Sequence, residues 1–276
     1  MKRRARWMWW LLLPAGLYLL ILIALFFVQT AMLFPTGQVR PPGPLPADAE
    51  RLTVAAASGE RLHGIHVPPA MPAGERLLVI GFGGNAWNAE AMAAYLHDLY
   101  PQADIVAFHY RGYRPSEGTP GAAALLADAP LVLDAARERI RPARTVAIGF
   151  SVGSGVAASL AVQRDLDGLI LVTPFDSLGS VAAGQYPWLP VRALLMHRME
   201  PAADLAGTRV PVAILAGARD TLIPPARTDA LRRAVPNLVF DRTLAGAGHN
   251  DIYDRAEFQA AMREALERIS RTDIPS

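Results

Sequence analysis

The chain has 276 residues, 52% of them hydrophobic, no cysteine and a formal net charge of +2. That is enough for one large domain with a full core plus an extra apolar segment, and the lack of cysteine excludes disulfides, thiolate metal sites and a cysteine nucleophile. The charge misleads: of 27 Lys and Arg, Lys2, Arg3, Arg4 and Arg6 fall in the first six positions, which leaves 23 basic against 25 acidic side chains elsewhere and no basic face for nucleic acid.

Residues 1–6 are thus a basic leader. Residues 7–28 are almost wholly apolar and uncharged, and a helix of about 20 such residues spans a bilayer. Basic residues ahead of a span stay in the cytoplasm, so the C-terminal bulk is expected outside, in the periplasm of a Gram-negative cell. Pro14 and Gly16 are tolerable in a membrane helix, and Trp7, Trp9 and Trp10 suit its inner interface. The competing reading is a cleaved signal peptide, whose apolar run of about 7–15 residues ends in a small-x-small site. Here the run is longer and Val28-Gln29-Thr30-Ala31 is a poor cleavage site, so an uncleaved single-pass anchor is expected.

Residues 29–49 carry Pro35, Pro41, Pro42, Pro44 and Pro46 and read as a semi-rigid linker. The domain proper runs over 50–276. Residues 51–57 and 61–67, around Ser58-Gly59-Glu60, read as an antiparallel hairpin. Apolar strands then alternate with helices. Strands are expected at 77–82, 105–110, 145–150, 168–173, 210–216 and 238–243. Helices are expected at 86–100, 121–140, 152–163, 225–234 and 255–270. Such alternation predicts an α/β fold with a mostly parallel twisted sheet, helices on both faces and right-handed crossovers. Active residues then belong on loops at the C-terminal strand ends. Residues 177–206 are too few for a second domain and suit a small lid.

The strand at 145–150 runs directly into Gly149-Phe150-Ser151-Val152-Gly153, a G-x-S-x-G, and then into a helix. A strand that turns at once into a helix strains its turning residue, so its neighbours Gly149 and Gly153 must lack bulk. The serine hydroxyl is then held above the sheet with a helix N-terminus behind it. Ser151 as nucleophile needs a base, and the base needs an orienter. His249, in Gly246-Ala247-Gly248-His249-Asn250, lies between the last strand and the last helix and is the candidate base. Asp220, before Thr221-Leu222-Ile223-Pro224-Pro225, follows a strand and is the candidate acid, the choice that the resemblance given below favours. Asp176 also follows a strand and is the rival acid. Asp251 and Asp254 read as caps of the last helix. For the oxyanion, backbone N–H groups of Val152 and of Phe82, in the loop Gly81-Phe82-Gly83-Gly84-Asn85, are the candidates.

Taken in order, these motifs resemble the α/β-hydrolase superfamily. They are the glycine loop at 81–85, Tyr110-Arg111-Gly112-Tyr113 through Ser116-Glu117-Gly118, the serine elbow, Arg219-Asp220 with Ile223-Pro224, and Gly248-His249. The resemblance covers residues from about 50 to 272. It is nearest to small membrane-anchored serine hydrolases related to monoacylglycerol lipases and prolyl-peptidase-like hydrolases. It implies a Ser151–His249–Asp220 triad, a covalent acyl-enzyme and an ester, thioester or amide bond as target, without fixing the substrate; the expected anchor and the apolar Tyr186, Trp188, Leu189, Leu194, Leu195 and Met196 of the lid point to a lipid-like acyl substrate near the membrane. One departure is expected: where such proteins often carry His-Gly-Asn, this chain is aligned as Ile80-Gly81-Phe82.

Other classes find less support. Gly81-Phe82-Gly83-Gly84-Asn85-Ala86 also satisfies G-x-G-x-x-G/A, but the next strand ends His109-Tyr110-Arg111, without the carboxylate a dinucleotide site uses. No H-E-x-x-H and no Gly-Lys-Ser/Thr is present. No cofactor and no metal is therefore expected; the expected partners are a small-molecule acyl substrate and the membrane, with oligomeric state left open. A non-catalytic, membrane-tethered interaction domain on the same fold, or a peptidase, is the alternative.

Overall fold

The computed structural model describes residues 2–71 and 74–272. A long helix, α1 (Lys2–Leu33), comes first, and the stretch Leu12–Gln38 is long and apolar enough to cross a membrane. The hairpin β1 (Glu50–Ala55) and β2 (Arg61–Val67) follows. The alternating part is β3 (Leu77–Phe82), α2 (Ala89–Leu99), β4 (Asp104–Phe108), α3 (Ala122–Ile140), β5 (Arg144–Phe150), α4 (Val152–Gln163) and β6 (Gly168–Val172). Three short helices, α5 (Leu178–Gln185), α6 (Val191–Leu194) and α7 (Pro201–Ala206), precede β7 (Val212–Gly217), α8 (Pro225–Ala234), β8 (Leu238–Leu244) and α9 (Ala256–Ser270).

The eight strands form one sheet in the order β1-β2-β4-β3-β5-β6-β7-β8. The hairpin joins β4 antiparallel, and every pairing from β4 to β8 is parallel. This is the mostly parallel α/β sheet that the alternation of elements predicts, and the architecture that the resemblance to α/β-hydrolases implies. The central strands are buried on both faces, so each reads as an unbroken apolar run. Side chains alternate between two cores. Ile80, Ala147, Leu169 and Leu171 face the one that receives α3 and α4. Val79, Ile148, Ile170 and Val172 face the one that receives α2 and α9.

Going from β3 to β4 the chain moves one way along the sheet, and β5 returns to the opposite side of β3. The loops after β3 and β5 therefore diverge at a point where the strand order reverses, which is where open α/β sheets place their crevices. Pro130 stands inside α3 and cannot donate to the carbonyl of Leu126. The Gln163 amide, from α4, takes up that carbonyl at 3.3 Å, which is how the helix tolerates a proline at mid-length.

Three expectations change. Helix α1 does not stop at Val28 but runs to Leu33. Nor are residues 29–49 a free spacer. Phe34 is 2% exposed within the core, with Val39 against the same cluster and Leu45 and Ala49 against the other. Apolar residues set among the prolines strap this segment to the domain. The lid is also shorter than 177–206: Met199 and Leu205 are buried core residues packed with α4, so the part outside the core ends near Met196.

Candidate active site

The turn from β5 to α4 is abrupt. Ser151 has φ 51 and ψ −117, outside the regions a side-chain-bearing residue readily occupies. Its amide donates to Val172 O at 2.9 Å and its carbonyl accepts from Ser154 Oγ at 2.6 Å, so the strained conformation is pinned on both sides. A Cβ on Gly153 would overlap the carbonyl oxygen of Phe82, and one on Gly149 would overlap that of Gly153. Both glycines of the elbow are thus required by close backbone approach.

Ser151, His249 and Asp220 meet although they lie on three separate loops. His249 Nε2 is 3.0 Å from Ser151 Oγ, and its Nδ1 is 2.7 Å from Asp220 Oδ2. The other carboxylate oxygen of Asp220 accepts from the amides of Leu222 at 2.9 Å and Ile223 at 2.7 Å. One oxygen is held by the backbone and the other faces the imidazole. With that carboxylate accepting a hydrogen bond from Nδ1–H, Nε2 presents its lone pair to the serine hydroxyl.

The loops after β7 and β8 are joined to each other. Ala218 N donates to Leu244 O at 2.9 Å and Arg219 N to Ala247 O at 2.8 Å, while Gly217 leaves room for the Ala247 backbone. Asp251 does not cap the last helix. It accepts from Gly248 N at 2.6 Å and pairs with Arg255 at 2.5 Å, bracing the histidine loop. The residue preceding α9 is Arg255, which makes no side-chain cap, so Asp254 is not the cap either. The rival acid, Asp176, has no bond to His249; its Oδ2 pairs with Arg227 at 3.1 Å.

Phe82 is not where the oxyanion reading put it. It is the last residue of β3, in register with Gly149 and 4% exposed, with its carbonyl beneath Gly153. The chain rises past the serine only afterwards: a Cβ on Gly84 would lie 3.7 Å from Ser151 Cβ. Two tyrosines of the Tyr110–Tyr113 motif fix this loop, Tyr110 OH donating to Gly83 O at 2.8 Å and Tyr113 OH to Asn85 O at 2.7 Å. The Gly84 carbonyl is turned toward Trp87 N, 3.4 Å away. In a trans peptide the N–H points opposite to the C=O, so the Asn85 N–H faces away from Trp87. It has no acceptor among the described residues, and neither has the N–H of Val152 at the first position of α4. The signal for Asn85 lay in Gly83-Gly84-Asn85, the match to His-Gly-Asn that lies three residues beyond Ile80-Gly81-Phe82.

Beneath the site Trp87, Phe150, Tyr253 and Phe258 form an aromatic cluster of edge-to-face and tilted pairs, with centroids 4.9–5.9 Å apart. Burial raises the Tyr253 phenol to about 12, so it stays neutral. On the lid side, the Gln185 amide donates to Thr221 O at 2.9 Å and Leu222 O at 3.1 Å, tying α5 to the loop that carries Asp220.

Residues 77–199 match a family model described as alpha/beta hydrolase fold. An uncharacterized protein of Mycobacterium tuberculosis is 33% identical over 220 residues, covering 76% of this chain and 77% of that one. The uncharacterized protein YfhR of Salmonella typhi is 32% identical over 228 residues, covering 75% of each. Among solved structures, an esterase from Pyrococcus furiosus superposes with a TM-score of 0.65 at 16% identity, covering 84% of this chain and 97% of that one.

Proposed function

The chain belongs to the α/β-hydrolase superfamily, and from that premise we propose that it is a serine hydrolase with Ser151 as nucleophile, His249 as base and Asp220 as acid. The observation that carries the reading is the hydrogen-bonded line from Ser151 Oγ through the two ring nitrogens of His249 to Asp220. In the first step Ser151 Oγ attacks the acyl carbon while His249 Nε2 takes its proton. The oxyanion that forms accepts from the free N–H groups of Val152 and Asn85, each worth about 2.7–4 kcal/mol to the transition state. His249 then returns the proton to the departing alcohol, thiol or amine, leaving an acyl-enzyme. Water, deprotonated by the same nitrogen, attacks that ester, and the acid is released as Ser151 recovers its proton. Asp220 stabilises the imidazolium without itself being protonated. The esterase among the similar structures agrees with acyl chemistry.

Ser151→Ala should fold, lose about 10⁴-fold or more in kcat on p-nitrophenyl esters, and lose covalent labelling by a fluorophosphonate. Labelling that persists in this variant would remove Ser151 from its role. A wild-type protein that resists the reagent would leave the tethered interaction domain as the better reading.

A further inference from the structure

The lid rests on α1, the helix ahead of the domain. Gln29 lies near the C-terminal end of this helix. Its amide donates to Leu194 O at 3.1 Å and Phe26 O at 2.8 Å, and its carbonyl oxygen accepts from Met196 N at 2.8 Å. Thr30 Oγ1 lies 2.8 Å from His197 Nε2, and further back along α1 Tyr18 OH donates to Trp188 O at 2.9 Å. A glutamine amide in an apolar helix is costly in lipid unless its donors and acceptor are met, and here the lid backbone and the Phe26 carbonyl of the same helix meet them.

Between α1 and the lid is an apolar cavity of about 290 Å³. Leu25 and Met32 form its α1 wall, Val181 and Leu194 belong to the lid wall, and Asn85 and Leu222 stand at the catalytic end. Asn85 follows Gly84, which abuts Ser151, and the Leu222 amide is bonded to Asp220. The cavity therefore starts where an acyl group on Ser151 would lie. At roughly 30 Å³ per water-sized group, it has room for about ten groups the size of a methylene.

The α1 wall of the cavity also falls inside the stretch long and apolar enough to cross a bilayer. So does every contact from Tyr18 to Thr30. From Leu12 to Tyr18 the helix rises only about 9 Å, against a hydrocarbon thickness of about 30 Å. A helix crossing from Leu12 is still in hydrocarbon where Trp188 touches it. The lid tip agrees: Tyr186, Trp188 and Met196 are 41%, 55% and 51% exposed.

We infer that α1 is one wall of the acyl pocket as well as an anchor, and that the pocket admits the chain of a neutral long-chain ester sideways from the leaflet facing the domain. This rests on the serine-hydrolase reading above. The test uses the full-length protein in nanodiscs. On p-nitrophenyl esters, kcat/KM should rise three- to fourfold per added methylene and level off near ten carbons. Leu25→Trp, which fills the α1 wall, should lower kcat/KM for the decanoate at least tenfold relative to the acetate. Leu20→Trp, on an exposed part of the same helix outside the cavity lining, should change neither. Didecanoylglycerol held in the nanodisc bilayer should inhibit acetate turnover competitively, and at least tenfold less well in Leu25→Trp.

A decanoate-to-acetate ratio unmoved by Leu25→Trp, in a variant that still labels with fluorophosphonate, overturns the α1 wall. No inhibition of the wild type by the bilayer-held ester overturns sideways access. Failure of the underlying reading looks different: no labelling of the wild type, or turnover that survives Ser151→Ala.

Discussion

Asp220 illustrates how much one side chain is asked to do. Its Oδ1 is held by two backbone amides and its Oδ2 faces His249. In Asp220→Asn the amide oxygen can keep the two backbone donors, which turns the NH₂ toward Nδ1. Nδ1 must then accept, so the proton moves to Nε2, where it blocks proton transfer from Ser151. A loss of about 10³–10⁴-fold in kcat is expected, with little change in Tm. Asp176→Asn should alter kcat by less than threefold, since that carboxylate is engaged by Arg227. Steady-state kinetics on an acetyl ester decide between them; a crippled Asp176→Asn beside an active Asp220→Asn would reverse the assignment. Both aspartates follow strands, which made Asp220 the candidate and Asp176 its rival, and their choice of partner separates them.

At the scale of elements, the segment between α1 and β1 shows where pattern reading misled. Its prolines signalled a spacer, yet Phe34 is 2% exposed and packs edge-on to His197 at 5.1 Å. His197 in turn accepts from Ala122 N at 3.4 Å, which joins α1, the chain after the lid and the start of α3. Phe34→Ala should therefore cost about 3 kcal/mol, within the usual range for emptying a buried aromatic site. For a domain of this size that is a Tm lower by about 10 °C, read by thermal unfolding of the full chain in detergent. A shift under about 2 °C would return the segment to the status of a linker. The same packing means that a fragment beginning near residue 40 loses a core residue along with its anchor.

For the whole molecule, we propose an orientation in the membrane from the charge ahead of the apolar helix. Lys2, Arg3, Arg4 and Arg6 precede the apolar stretch, and basic flanks stay in the cytoplasm. A C-terminal alkaline phosphatase fusion should be active in a bacterial host, and carbonate washing should leave the protein in the membrane. Release of a shortened soluble form would show cleavage; it would also remove Leu25, Gln29 and Met32, and with them one wall of the cavity. Anchoring and pocket formation thus stand or fall on the same helix.

The sequence alone determined the alternating α/β order, the apolar first helix, the serine elbow and a short list of partners for it. These are local properties: period, strand-turn-helix sequence and glycine placement act over a few residues. It also carried the tyrosines at 110 and 113, but not their task of holding the loop that passes Ser151. Only the tertiary structure decided that Asp220 and not Asp176 reaches His249, that Asn85 and not Phe82 turns a free N–H outward, and that the first helix closes a cavity under the lid. Each of these depends on the distance between residues far apart in the chain, down to the 170 positions between Tyr18 and Trp188. Such distances are set by sheet order and packing, which no window of neighbouring residues contains.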